Sequence, residues 1–154
     1  MKKTIITLVL AVFSNALLQG QLSTEAELIR SRFKEEKTDL ISSFMDFSMP
    51  EEKAFWPLYE EYEAKRTAYA DKRISLLFDY VANYDALNDE QADEWSREVL
   101  KLQSNEMALK RKYYKKIAKA LSPRIALRFF QFEESIHAAI RFEIMSTLPV
   151  LEKY

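Results

Sequence analysis

The sequence predicts an all-α protein of four helices, and three observations carry that reading. Only one of its 154 residues is glycine, so the tight turns of β-hairpins, dinucleotide-binding loops and phosphate-cradling loops lack the residue that tolerates positive φ or close backbone approach. Apolar residues make up 48% of the chain, enough for one domain with a real core, and they recur at spacings of three and four. Helix-starting cap chemistry appears at regular points along the chain.

Composition narrows the function classes. The chain has no cysteine, which excludes disulfides, thiolate zinc sites, thioether-linked haem and a lipid anchor on cysteine. The formal net charge of −1 gives no global pull toward nucleic acid. Lys2 and Lys3 form a basic n-region, Thr4 to Phe13 an uncharged apolar h-region, and Ser14 to Gly20 a more polar c-region. This is the pattern of a cleaved secretory signal over residues 1–20, and it is too short to span a bilayer. Losing Lys2 and Lys3 takes the basic count from 23 to 21 against 24 acids, leaving residues 21–154 as a single helical domain of net charge about −3.

The elements follow in order. Thr24 and Glu27 form a capping box, and Ile29, Phe33, Leu40, Phe44 and Phe47 recur at helical spacing, so helix one runs to about Asp46. Ser48 caps helix two, Glu51 completes its box, and Pro50 falls in the first turn, where its missing N–H costs nothing. That helix continues to about Tyr84, with a bend expected at Pro57. Asn88 and Gln91 make the next capping pair, with Leu87 as a staple. Trp95, Val99, Leu102, Glu106, Leu109, Tyr113, Ile117 and Ala120 then trace one buried line to near Leu121. Ser122 caps helix four, Pro123 takes its first position, and Ile125, Phe129, Phe132, Ile136 and Ile140 form its inner stripe. Pro149 stops it ahead of a short tail, Val150 to Tyr154.

Helices two and three carry the expectation of shape. About 35 residues at about 1.5 Å each give rods of about 50 Å, longer than the roughly 36 Å diameter of a compact domain of this size. A long central antiparallel hairpin and an elongated body follow as expectations, the projecting end being covered by a partner chain in a homodimer or left as an open face that tolerates exposed apolar groups.

Some residues break the apolar pattern. The inner face of helix two reads Phe55, Tyr59, Tyr62, Arg66, Tyr69, Arg73, Leu77, Tyr80 and Tyr84. With the turn between Tyr84 and Asn88, antiparallel partners have numbers summing to about 172, which sets Arg66 against Glu106 as an ion pair fixing the hairpin register. The functional counterpart is that Tyr59, Tyr62, Arg66, Tyr69 and Arg73 make a face adhesive to unfolded chains. From Lys110 to Arg128 the chain holds eight cations, Lys112 and Lys116 among them, and no acid. The register lays this run against Glu51, Glu52, Glu60, Glu61 and Glu63, so neutralisation within the chain is one reading; recruitment of acidic or unfolded partners is another. A basic helix interleaved with aromatics also suits nucleic acid or anionic lipid, although export argues against nucleic acid as a partner. His137, the single histidine, has Glu133 one turn before it and Arg141 one turn after. Two ligands beside a cation make a poor metal site, and a histidine on the helix flank is the expectation. No serine or threonine has a defensible histidine and acid arrangement. Neither an enzyme nor a cofactor is expected.

Aligned on their caps, three helix starts read Phe47-Ser48-x-x-Glu51 with Phe55, Leu87-Asn88-x-x-Gln91 with Trp95, and Leu121-Ser122-x-x-Ile125 with Phe129. This pattern resembles the LTxxQ motif of the Spy/CpxP family of periplasmic proteins. Leu87 and Gln91 keep its first and last letters, Asn88 replaces threonine with another capping residue, and Phe47, Ser48 and Glu51 form a weaker copy. The resemblance implies a periplasmic, cradle-shaped antiparallel dimer. Such a protein would act as an ATP-independent chaperone that holds unfolded or misfolded envelope proteins. Alternatively it would be an envelope-stress adaptor or sensor that engages a membrane sensor ectodomain or regulates an extracytoplasmic sigma factor. Metal-binding relatives use several histidines, which this chain lacks.

Overall fold

The computed structural model describes residues 35–151, and every regular element among them is helical. Helix α1 covers 35–45, α2 Met49–Asn83, a 3-10 turn Tyr84–Ala86, α3 Asp89–Ala120 and α4 Pro123–Thr147. The expected signal segment, the Thr24 cap, Ile29 and Phe33 lie outside the described residues.

The helix starts use the predicted chemistry. One oxygen of Glu51 accepts from the Ser48 amide at 2.8 Å and its hydroxyl at 2.7 Å, and these bonds hold the Glu51 carboxyl below its ordinary range. Asn88 Oδ1 accepts from the Gln91 amide at 2.9 Å, while Gln91 Oε1 accepts from the Asn88 amide at 3.1 Å. Ser122 Oγ takes the Ile125 amide at 3.2 Å. Helix α1 ends on Asp46, whose φ is +51°. Aspartate is among the few non-glycine residues that tolerate this left-handed helix stop. Helix α2 continues through Pro57.

Contacts between α2 and α3 run antiparallel: Tyr62 packs on Tyr113, Arg73 pairs with Glu106, and Tyr80 packs on Trp95. Helix α4 returns along both. Phe129 meets Phe55, Tyr59 and Tyr62, and the Tyr80 hydroxyl donates to the Pro149 carbonyl at 2.8 Å. Helix α1 closes the group against α2 and α4. Phe44 packs on Phe132 with centroids 5.0 Å apart, and Arg128 donates to the Phe44 carbonyl at 2.6 Å, satisfying an acceptor that the helix end leaves open. The end where α1 meets α2 and α3 meets α4 is here the base; the end holding the 84–88 turn and residues 148–151 is the tip.

The core lies toward the base, where Ile41, Phe55, Tyr59, Tyr62, Tyr113, Ile117, Ala126 and Phe129 are almost wholly shielded from water. The expected inner lines of α2 and α3 hold, with Leu77, Leu102 and Leu109 also buried; Ala120 alone on that α3 line is exposed. Two other lines are rotated. On α1 the buried residues are Lys37, Ile41 and Met45, whereas Phe44, expected inside, is 40% exposed. On α4 they are Ala126, Phe129 and Glu133, with Ile125, Phe132, Ile136 and Ile140 half-buried beside them. Both rotations bring a charged residue inward, and those residues meet.

Candidate functional site

The tyrosine and arginine face of α2 folds inward. Tyr59 and Tyr62 are 1% and 0% exposed, so they form the core instead of the client-facing surface the sequence suggested. Tyr69 is half-buried against the same cluster. Arg66 does not reach Glu106. It folds back on Glu63, with Nη2 at 2.6 Å and Nε at 2.8 Å from that carboxylate, while Glu106 is held by Arg73 at 2.6 Å. The reason is directional: helical side chains lean toward their own N-terminus. In the expected register Arg66 and Glu106 stand level on antiparallel helices and lean apart. Arg73 and Glu106, offset by two turns, lean together.

Where the arginine was expected to find its partner, a buried ionic group has formed one helix over. Lys37 Nζ of α1 lies 2.9 Å from Glu63 of α2 and 2.7 Å from Glu133 of α4. Glu133 also accepts from the Tyr62 hydroxyl at 3.2 Å and lies 3.2 Å from His137 Nε2. Lys37, Glu63 and Glu133 are all under 6% exposed. Burial alone would push the Glu133 carboxyl up, but the His137 ring and the Lys37 ammonium more than offset it, holding the group at about 2. Burial likewise opposes ionisation of Glu63, and Arg66 with Lys37 again prevails, so its carboxyl is lowered. Tyr59 and Tyr62 are pushed well above the ordinary phenol range, chiefly by burial. The group ties three helices together in one register, α1 through Lys37, α2 through Glu63 and α4 through Glu133. Periodicity could have exposed it. Glu63 falls at helical spacing between Tyr59 and Arg66, as does Glu133 between Phe129 and Ile136. Among the described residues no three histidine or acidic side chains are grouped to hold a metal ion.

The basic run divides. Lys116 pairs with Glu61 at 2.6 Å and lies over the Tyr113 ring at 4.8 Å, which lowers the Glu61 carboxyl. Lys110 and Arg141 converge on Glu134, and Arg128 covers the Phe44 ring at 5.0 Å. Lys112 is exposed, and among the described residues no carboxylate pairs with it or with Arg111, Lys115, Lys119 or Arg124. Neutralisation by the start of α2 therefore extends to Lys116 and stops there.

The motif residues are structural in position. Phe47 packs on Phe55 with ring centroids 4.6 Å apart. Trp95 is half-buried, with its indole N–H donating to the Leu76 carbonyl at 2.9 Å and its ring 5.0 Å from Tyr80. Trp95 and Leu87 line an apolar tip pocket of about 300 Å³ with Tyr80, Met145, Leu148 and Val150. The Tyr80 and Trp95 polar atoms in its wall are already spent on backbone carbonyls, so what they offer an occupant is apolar surface. Among the described residues no helix is long and apolar enough to cross a membrane. Compared with known protein families, curated proteins and solved structures, the chain finds no match in any of the three.

Proposed function

We propose that the protein is a non-enzymatic, ATP-independent chaperone-like protein of the bacterial periplasm, exported by its N-terminal segment, that holds unfolded or misfolded envelope proteins. One observation carries this reading. Toward the tip, all three long helices present large apolar side chains to water: Ile74 and Val81 on α2, Leu100 and Met107 on α3, Phe142 and Met145 on α4, between 37% and 75% exposed. Exposed apolar groups spread along several helices beyond the packed core suit clients that share no sequence but expose apolar segments. Because Tyr59 and Tyr62 are buried, the client surface of this proposal moves from the tyrosine face to that outer surface, flanked by Lys112 and the other exposed cations of α3. The LTxxQ-like caps support the same reading through family resemblance, as does the antiparallel α2–α3 pair. An elongated, cradle-shaped antiparallel homodimer is part of the proposal.

The test is light scattering of denatured, unrelated clients without ATP. Near-stoichiometric protein suppresses their aggregation, and Phe142→Ser/Met145→Ser suppresses it less. Absence of suppression across several clients overturns the proposal.

The tip pocket favours a second reading, a signalling adaptor, because one defined apolar pocket suits one partner better than many. An adaptor binds a single membrane-sensor ectodomain saturably, ignores denatured proteins, and loses that binding when Leu87→Lys fills the pocket with charge.

A further inference from the structure

The outer face of α3 is divided along its length. Its outward line reads Leu100, Ser104 and Met107 toward the tip and Arg111, Lys115 and Lys119 toward the base, successive positions falling three or four residues apart. Leu100 and Met107 are 64% and 55% exposed, and the three cations are exposed as well. The cations from Arg111 to Lys119 span about 12 Å of helix, and Arg124 extends the basic surface onto the first turn of α4. Between Val99 and Phe132 the chain has a single carboxylate, Glu106, and it is turned inward onto Arg73. Along α3 itself no carboxylate therefore faces this stripe, and the neighbouring Glu61 of α2 and Glu134 of α4 are engaged by Lys116 and Lys110, in a chain whose net charge is −1.

We infer that this face is a docking surface for an anionic lipid bilayer. Charge complementarity requires an anionic partner, and two features select a membrane over an acidic polypeptide. The cations stand at successive turns of one continuous helix, a linear array that suits a plane of headgroups. The exposed Leu100 and Met107 continue the same line, and apolar groups beside cations place a helix at the boundary of headgroup and acyl chain. The outer face of α3 would hold the protein on an acidic leaflet while the surfaces of α2 and α4 stay open to solution. The inference shares Leu100, Met107 and the cations of α3 with the chaperone proposal, but vesicle binding and suppression of aggregation are separate readouts, so each can fail while the other stands.

The experiment is co-sedimentation of the full chain with vesicles of mixed phosphatidylglycerol and phosphatidylcholine, against vesicles of phosphatidylcholine alone. Protein pellets with the anionic vesicles and stays in solution with the neutral ones, and added salt releases it. Arg111→Glu/Lys115→Glu weakens partitioning at least about 30-fold, the loss of two surface cations each worth about fivefold. Lys53→Glu/Lys65→Glu makes the same change in net charge on α2 and leaves binding within a few-fold of the parent. Circular dichroism and thermal melting establish that both variants fold, and their shared N-terminal segment cancels from the comparison. Equal binding to neutral vesicles, or equal loss in the two charge-reversed variants, overturns the inference. So does binding of polyglutamate through Arg111 and Lys115 while vesicles of every composition leave the protein in solution.

Discussion

The base and the tip of the molecule are built on different physics. At the base four helices converge on edge-to-face aromatics and a buried ionic group, with Phe129 touching Phe55, Tyr59 and Tyr62 at once. At the tip, contacts are fewer in kind. Trp95 rests on Tyr80 beside an open pocket, the Lys72–Glu98 pair is 50% and 35% exposed, and apolar side chains face water. Exposed pairs contribute little to stability, and exposed apolar groups contribute nothing until something covers them. Stability is concentrated at one end, which leaves the other free to expose apolar surface.

The largest expected effects test that contrast directly. Phe129→Ala opens a cavity in the base core and costs about 4 kcal/mol in chemical denaturation. Trp95→Ala, being half-buried and beside a pocket already open, costs about half as much. Equal losses would mean that the tip is packed as tightly as the base. Lys37→Met removes the cation shared by Glu63 and Glu133 and costs about 3 to 5 kcal/mol, because two buried carboxylates lose their common partner. Adding Glu133→Gln to that variant recovers part of the loss.

The same buried group gives the base an acid limit. The Glu133 carboxyl sits at about 2 in the folded chain against an ordinary 4.5, and Glu63 is shifted in the same direction. A lowered carboxyl adds stability above its unfolded value and loses it as pH falls toward the folded one. Stability is therefore full above pH about 5 and declines by roughly 3 kcal/mol from Glu133 as pH approaches 2. Thermal melts across that window show the decline, and Glu133→Gln flattens it. An unchanged slope in that variant would place the acid limit elsewhere.

What could be read from the sequence follows the same division. Caps are local chemistry, so Ser48, Asn88 and Ser122 were legible from a few neighbouring residues. The inner faces of α2 and α3 were legible because apolar spacing is dense there. The ionic group was not, because an apolar-only line passes over Lys37, Glu63 and Glu133: it falls one position early on α1, at Leu40 and Phe44, and puts Phe132 where Glu133 belongs on α4. The Arg66–Glu106 pairing failed on side-chain direction: Arg66 turns back along α2 to Glu63, and Glu106 is taken by Arg73. Exposed apolar groups at the tip were foreseeable from helix length, whereas the tail's closure of a pocket through Tyr80 and Pro149 depends on tertiary contact alone.

The smallest effect concerns the turn that separates the two ends. Asn88 and Gln91 satisfy each other's amides at the start of α3, and Asp89 and Glu90 sit in the first turn, where the helix dipole favours acids. Asn88→Ala removes the side-chain acceptor and costs about 1 kcal/mol. Because this cap lies at the tip, far from the base core, the loss is local. Amide exchange quickens over residues 84–95, while amides around Tyr62, Tyr113 and Phe129 keep their protection. If exchange instead rises uniformly through the base, the tip and base unfold as one unit, and the tip's exposed apolar surface is held in place by the same cooperative structure that buries Glu133.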